Sequence, residues 1–185
     1  LNLPPLMVAP LNLVWWTLPV ELSFYLLLPL LGWCAGCINW RILLLSSLLT
    51  TLAWRFLIFS TAEVDNYVAI LPVLDSLLGT LFTVLSGFCI NFLPDALTVK
   101  QRQRGIIIGL LLLLGLMQWQ LHMDAVYWSG HWILVVWPPL VALAIAILVY
   151  HLKDPLPSMA WLSSRFLVWL GHISFGIYLW HFQVM

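Results

Sequence analysis

The sequence predicts an all-α fold: a polytopic transmembrane bundle of about six helices. Three observations lead there. Of 185 residues, 63% are hydrophobic and only 8% are charged, against about a quarter charged in a soluble domain. The mean hydropathy is +1.04, more apolar surface than a water-soluble core of this length can hide. Six stretches, at residues 13–36, 38–60, 67–93, 105–121, 132–152 and 166–185, reach or approach the roughly 20 apolar residues that cross a bilayer as a helix.

Taken in order, the first span contains WWTLPVELSFYLLLP at residues 15–29, which sets Glu21 among apolar neighbours. The second carries Arg55 near its end. The third contains LPVLDSLLG around Asp75. The fourth is short. The fifth begins with Pro138-Pro139, a pair expected to kink it or delay its helical part. The sixth ends in WLGHISFGIYLWHFQVM. There is no internal repeat and no low-complexity linker, so residues 1–185 read as a single membrane domain.

Loop charges orient the bundle. Arg41, the trio Lys100, Arg102 and Arg104, and the pair Lys153 and Arg165 fall on alternate connections. The connections at 61–66 and 122–131 carry acids and histidines but no Lys or Arg. The positive-inside rule then puts the basic connections on the cytoplasmic side. Seven basic and seven acidic residues balance, which points to no nucleic acid and no acidic partner. Cys34, Cys37 and Cys89 are odd in number and lie in apolar surroundings, so no disulfide framework is expected, and Cys34-x-x-Cys37 reads as small packing residues. Gly32-x-x-x-Gly36 and Gly105-x-x-x-Gly109 suit close helix contact.

Rise along a helix converts position into depth, at about 1.5 Å per residue. Glu21, Arg55, Asp75 and His181 all come out in the outward half of their spans, on four different helices. An ionisable group facing lipid at mid-depth costs at least about 2.5 kcal/mol, and clustering removes much of that cost. Arg55 is therefore expected to pair with Glu21, Asp75 or both. Arg55 snorkelling to headgroups, and Asp75 bonded to local backbone or Ser76, remain alternatives. Ser174, Tyr178 and His181 are spaced four and three apart and form one polar stripe. Imidazole is a natural proton acceptor. His122, His131 and His151 read as solvated, His172 as interfacial. The scattered histidines lack ligand spacing, so no metal site is expected.

Residues 16–29, WTLPVELSFYLLLP, and residues 170–181, LGHISFGIYLWH, together resemble two patterns of the acyltransferase 3 family of integral-membrane O-acyltransferases. Thr17 stands where the family usually has Ser, and Phe175 where it usually has Tyr. The resemblance implies the C-terminal part of a longer domain, whose first helices carry a further histidine. It implies acyl transfer, acetyl above all, from cytoplasmic acyl-CoA as co-substrate to a hydroxyl of an exported glycan or lipid-linked sugar. No bound cofactor is implied, and the setting would be the bilayer of a bacterial inner membrane. Glu21 and His181 would then be catalytic. Trp16, Tyr25, Arg55, Asp75, Ser174 and Tyr178 would bind substrate. Lys100, Arg102 and Arg104 would face the coenzyme phosphates, although the positive-inside bias alone accounts for them. Polar residues near midplane also mark transport pathways, so a transporter is one rival and an inactive structural fragment another.

Overall fold

The computed structural model describes residues 17–61, 67–123, 131–154 and 156–184. Its helices are α1 (Thr17–Cys37), α2 (Trp40–Thr61), α3 (Tyr67–Leu74), α4 (Leu77–Cys89), α5 (Val99–His122), α6 (Ile133–Leu152) and α7 (Arg165–Val184), with 3-10 turns at Ile90–Phe92 and Pro157–Ser163. Among the described residues there is no strand. Four helices, α1, α2, α5 and α6, are long and apolar enough to cross a bilayer. The fold class is therefore the all-helical membrane bundle that the composition predicts.

Three features depart from the sequence pattern, each for a physical reason. The span expected over residues 67–93 is divided into α3 and α4, because the chain leaves the helix at Asp75 and Ser76. Ser76 is extended (φ −67°, ψ 177°), and the break follows Pro72 within the same span. The fourth span begins at Val99 rather than 105, because Thr98 and Gln101 form a capping box: the Thr98 side chain accepts from the Gln101 N–H, and the Gln101 side chain accepts from the Thr98 N–H. Lys100, Arg102 and Arg104 thus lie in the first turns of α5. Finally, Pro138 and Pro139 sit inside α6 without delaying it. Pro138 cannot supply the N–H that the Leu134 carbonyl would otherwise accept; that oxygen finds another donor, described below.

α4 and α6 run opposite to α2, and α5 opposite to α6, and side chains fasten the two ends. At one end, Cys89 Sγ donates to Trp40 O at 3.8 Å, tying the end of α4 to the start of α2. The Tyr150 hydroxyl donates to Pro94 O at 2.7 Å. Arg102 pairs with Asp154 and donates to Asp95 O at 2.9 Å, and Lys153 pairs with Asp95 at 2.6 Å. Here Arg102 is buried, which spends its charge on the fold. At the other end, Trp119 and Trp132 meet with ring centroids 5.8 Å apart, the kind of aromatic contact expected at a membrane interface.

Close packing of α5 on α6 depends on Gly105 and Gly109. A Cβ on Gly105 would overlap the His151 ring, and one on Gly109 would come 2.7 Å from Leu148 Cγ. His151, which the sequence places in solvent, is half-buried for this reason; its Nδ1 lies 2.8 Å from Ile147 O. The tightest core forms where α4 meets α2 and α6, around Leu74, Phe82, Leu85, Ile133 and Leu134. By contrast, α1 packs on α4 and buries Phe24 and Leu31, and α7 meets the 3-10 turn that precedes it.

Candidate active site

A break in a membrane helix strands backbone groups, and in hydrocarbon each stranded group costs several kcal/mol. At the break, the Asp75 N–H donates to Leu71 O at 2.8 Å, the Ser76 N–H to Val73 O at 3.3 Å and the Thr80 N–H to Ser76 O at 3.0 Å, and one face of α2 supplies further donors to the break and to the first turns of α4. Thr51, Trp54 and Arg55 lie three and four residues apart, so their side chains project together. The Trp54 indole Nε1 donates to Val73 O at 3.0 Å. The Thr51 hydroxyl donates to Leu78 O at 3.1 Å and accepts from the Phe82 N–H at 3.0 Å. Leu78 and Phe82 are four apart, the pair that a regular helix joins directly; Thr51 bridges that rung.

Arg55 is the centre of the arrangement. It is 0% exposed, and a charge so placed costs several kcal/mol unless its donors are matched. They are. Nη1 pairs with Asp75 Oδ1 at 2.7 Å and donates to Leu74 O at 3.1 Å and, more weakly, to Gly79 O at 3.3 Å. Nε and Nη2 both donate to Leu134 O, at 2.9 and 2.7 Å. Leu134 O is the carbonyl that Pro138 leaves without a partner. One guanidinium therefore joins α2 to the interrupted span and to the start of α6. Gly79 is required by the same geometry: a Cβ there would overlap the Leu74 carbonyl that turns toward Arg55. The Asp75 side chain remains 27% exposed, and among the described residues no hydrogen bond engages its second oxygen.

Of the sequence-predicted site residues, the structure brings Arg55 and Asp75 together. Glu21 makes no ion pair with Arg55; it is half-buried on α1, at the edge of the face that buries Phe24. Tyr25 is 65% exposed. A shallow depression lined by Leu18, Pro19, Glu21, Leu22 and Tyr25 runs along this part of α1. Ser174 is exposed on α7 and donates to Gly171 O at 2.7 Å, and Tyr178 lies exposed one turn further on. The backbone of His181 is helical; its side chain, and the whole of Trp16, lie outside the described residues. Among the described residues no cluster of His, Cys, Asp or Glu has metal-binding geometry, and the three cysteines are free thiols.

Sequence reasoning did not single out Thr51, Trp54, Gly79 or Pro138 as parts of this arrangement. A signal for them exists. Thr51 and Arg55 are one turn apart in an otherwise apolar helix, and Pro138 lies four residues after Leu134, the spacing at which a proline frees a carbonyl.

No curated protein and no solved structure matches the chain significantly. A family model described as an acyltransferase domain matches residues 2–185, nearly the whole sequence, and the chain belongs to that family, acyltransferase 3.

Proposed function

We propose that the chain carries out O-acyl transfer in a bacterial inner membrane: an acyl group, most simply acetyl, moves from acyl-CoA on the cytoplasmic side to a hydroxyl of an exported glycan or lipid-linked sugar. The family match over residues 2–185 is the observation that carries this reading. In the reaction the hydroxyl oxygen attacks the thioester carbonyl and its proton passes to a base. That attack forms the ester C–O bond; the C–S bond then breaks, and the departing thiolate of coenzyme A takes up a proton. A hydroxyl at neutral pH needs such a positioned base, and the developing oxyanion needs donors.

Glu21 and His181 take the proton-handling roles, Glu21 as the group that orients or accepts from an imidazole. Ser174 and Tyr178 donate to the acceptor or the oxyanion, and Trp16 and Tyr25 offer flat surfaces to a sugar ring. Asp75 holds an acceptor hydroxyl, while Arg55 acts through Asp75, since its burial keeps it from any ligand. At the inner end, Lys100 and Arg104 are exposed and available to coenzyme phosphates; Arg102 is engaged with Asp154. An interrupted span is also a transporter feature, but the family match favours acyl transfer. In the intact protein, Glu21→Gln or His181→Ala should lower acylation by about 100-fold or more, as loss of a general base does, with the protein still in the membrane. Unchanged ester content by mass spectrometry would refute these roles.

A further inference from the structure

We propose that Thr51, Trp54 and Arg55 form one positioning set that holds the third span permanently interrupted, and that the interruption presents the Asp75 carboxylate to a water-filled vestibule open to the outer side, where its second oxygen receives a hydrogen bond from an acceptor hydroxyl. The outward assignment and the acceptor rest on the acyl-transfer reading above; the interruption itself does not.

Three observations converge. First, the break is built in. Arg55 takes Leu74 O at 3.1 Å and Trp54 adds a donor to Val73 O, which also accepts from the Ser76 N–H, and Gly79 leaves room for the turned Leu74 carbonyl. A break awaiting repair by a regular helix would leave the Leu74 carbonyl for a backbone N–H group. Second, the Arg55–Asp75 bond uses Oδ1 alone, so the carboxylate is held in one orientation with an acceptor oxygen to spare. Third, burial changes sharply across the pair: Arg55 is enclosed, while Asp75 keeps 27% of its side chain exposed. An ionised carboxylate at this depth is tolerated when it is paired on one side and meets water or a polar ligand on the other. Asp75 is thus offered to the ligand, and Arg55, Thr51 and Trp54 act through it.

The test uses the intact protein in sealed, outward-facing membrane vesicles, with Cys34, Cys37 and Cys89 replaced by Ala. The probe is a membrane-impermeant cationic methanethiosulfonate. Ser76→Cys should be labelled from outside, as should Asp75→Cys. Adding Thr51→Val should abolish labelling of Ser76→Cys, and Thr51→Ser, which keeps the bridging hydroxyl, should restore it. In acylation assays with radiolabelled acetyl-CoA and native membranes, Asp75→Asn and Thr51→Val should each lose about tenfold, the effect of one well-placed hydrogen bond, while Asp75→Glu and Thr51→Ser retain most activity. Failure of both cysteine variants to react from outside, or equal labelling in the Thr51→Val and Thr51→Ser backgrounds, overturns the proposal. Normal labelling with no acylation by any variant or by the parent would instead overturn the acyl-transfer reading and leave the interruption standing.

Discussion

Arg55 occupies the hydrogen-bonding place that Pro138 leaves open. Its Nε and Nη2 both reach the Leu134 carbonyl, at 2.9 and 2.7 Å, and Leu134 lies four residues before the proline that cannot donate to it. A buried charge and a helix-breaking residue, each costly alone, satisfy each other. The two should therefore couple energetically. Arg55→Met alone should destabilise the protein by about 3–5 kcal/mol, the usual cost of breaking a buried pair. Pro138→Ala restores an N–H to the Leu134 carbonyl, so in that background the same change should cost roughly 1 kcal/mol less. Denaturant unfolding in detergent measures both; strict additivity would show that the link is incidental.

Gly79 and Gly87 lie on the same helix and make a matched pair. A Cβ on Gly79 strikes the Leu74 carbonyl, whereas one on Gly87 meets nothing within 4 Å. Gly79→Ala should cost about 1–3 kcal/mol or more, as overpacking does. Gly87→Ala should be neutral or stabilise the helix by up to about 1 kcal/mol. Thermal midpoints of the two variants, measured side by side, check the contrast.

The contact of α5 with α6 should fail in the same graded way. Gly109→Ala pushes against Leu148 at 2.7 Å and should lower stability by about 1–3 kcal/mol. Adding Leu148→Ala should recover part of that loss by making room, which a double-mutant comparison of melting temperature would read.

At the end of the bundle that holds Arg102 and Asp154, Lys153 holds the Asp95 carboxyl below its ordinary range by hydrogen bond and charge, and the hydrogen bond from Lys153 to Asp95 raises the lysine in turn. The signs follow. Asp95 contributes stability above the ordinary carboxylate value near 3.9 and loses it as pH falls through its lowered value. Lys153 contributes below its ordinary value near 10.4 and loses it as pH rises through its raised one. Between about pH 5 and 9 the pair should contribute a constant amount. Asp95→Asn should flatten the acid and alkaline limbs of a plot of thermal midpoint against pH and leave the shape of the middle unchanged; limbs identical to the parent's would show that the pair contributes nothing.

The fold was legible because its signal is collective. Long apolar stretches at regular spacing fix helices in a bilayer, and six of the seven basic residues fall at one end of the bundle as the alternate-connection pattern implies. Depth alone pointed Arg55 to Glu21, Asp75 or both, since opposite charges at one level gain by meeting, and of the two it is Asp75 that Arg55 meets. What stayed hidden was local. The third span reads as continuous because nothing in its hydropathy records that Ser76 turns extended; the carbonyls just before that turn meet Trp54 and Arg55, on the preceding helix. Likewise Pro138-Pro139 suggests a disturbed helix until a donor from α2 is seen to meet the freed carbonyl. The start of α5 is the opposite case: the capping box at Thr98 and Gln101 was present in the sequence, and the apolar threshold alone placed the boundary too late.

We propose that this membrane chain esterifies an outward-facing hydroxyl. The most direct measurement supplies radiolabelled acetyl-CoA to the cytoplasmic side of sealed vesicles, with and without the intact protein, and follows label in the glycan and lipid fractions. Protein-dependent label on the outer side, released by mild base as acetate and lost with Glu21→Gln, is the expected result. Glycan and lipid fractions without base-labile label, from vesicles that hold the protein in full amount, would contradict it.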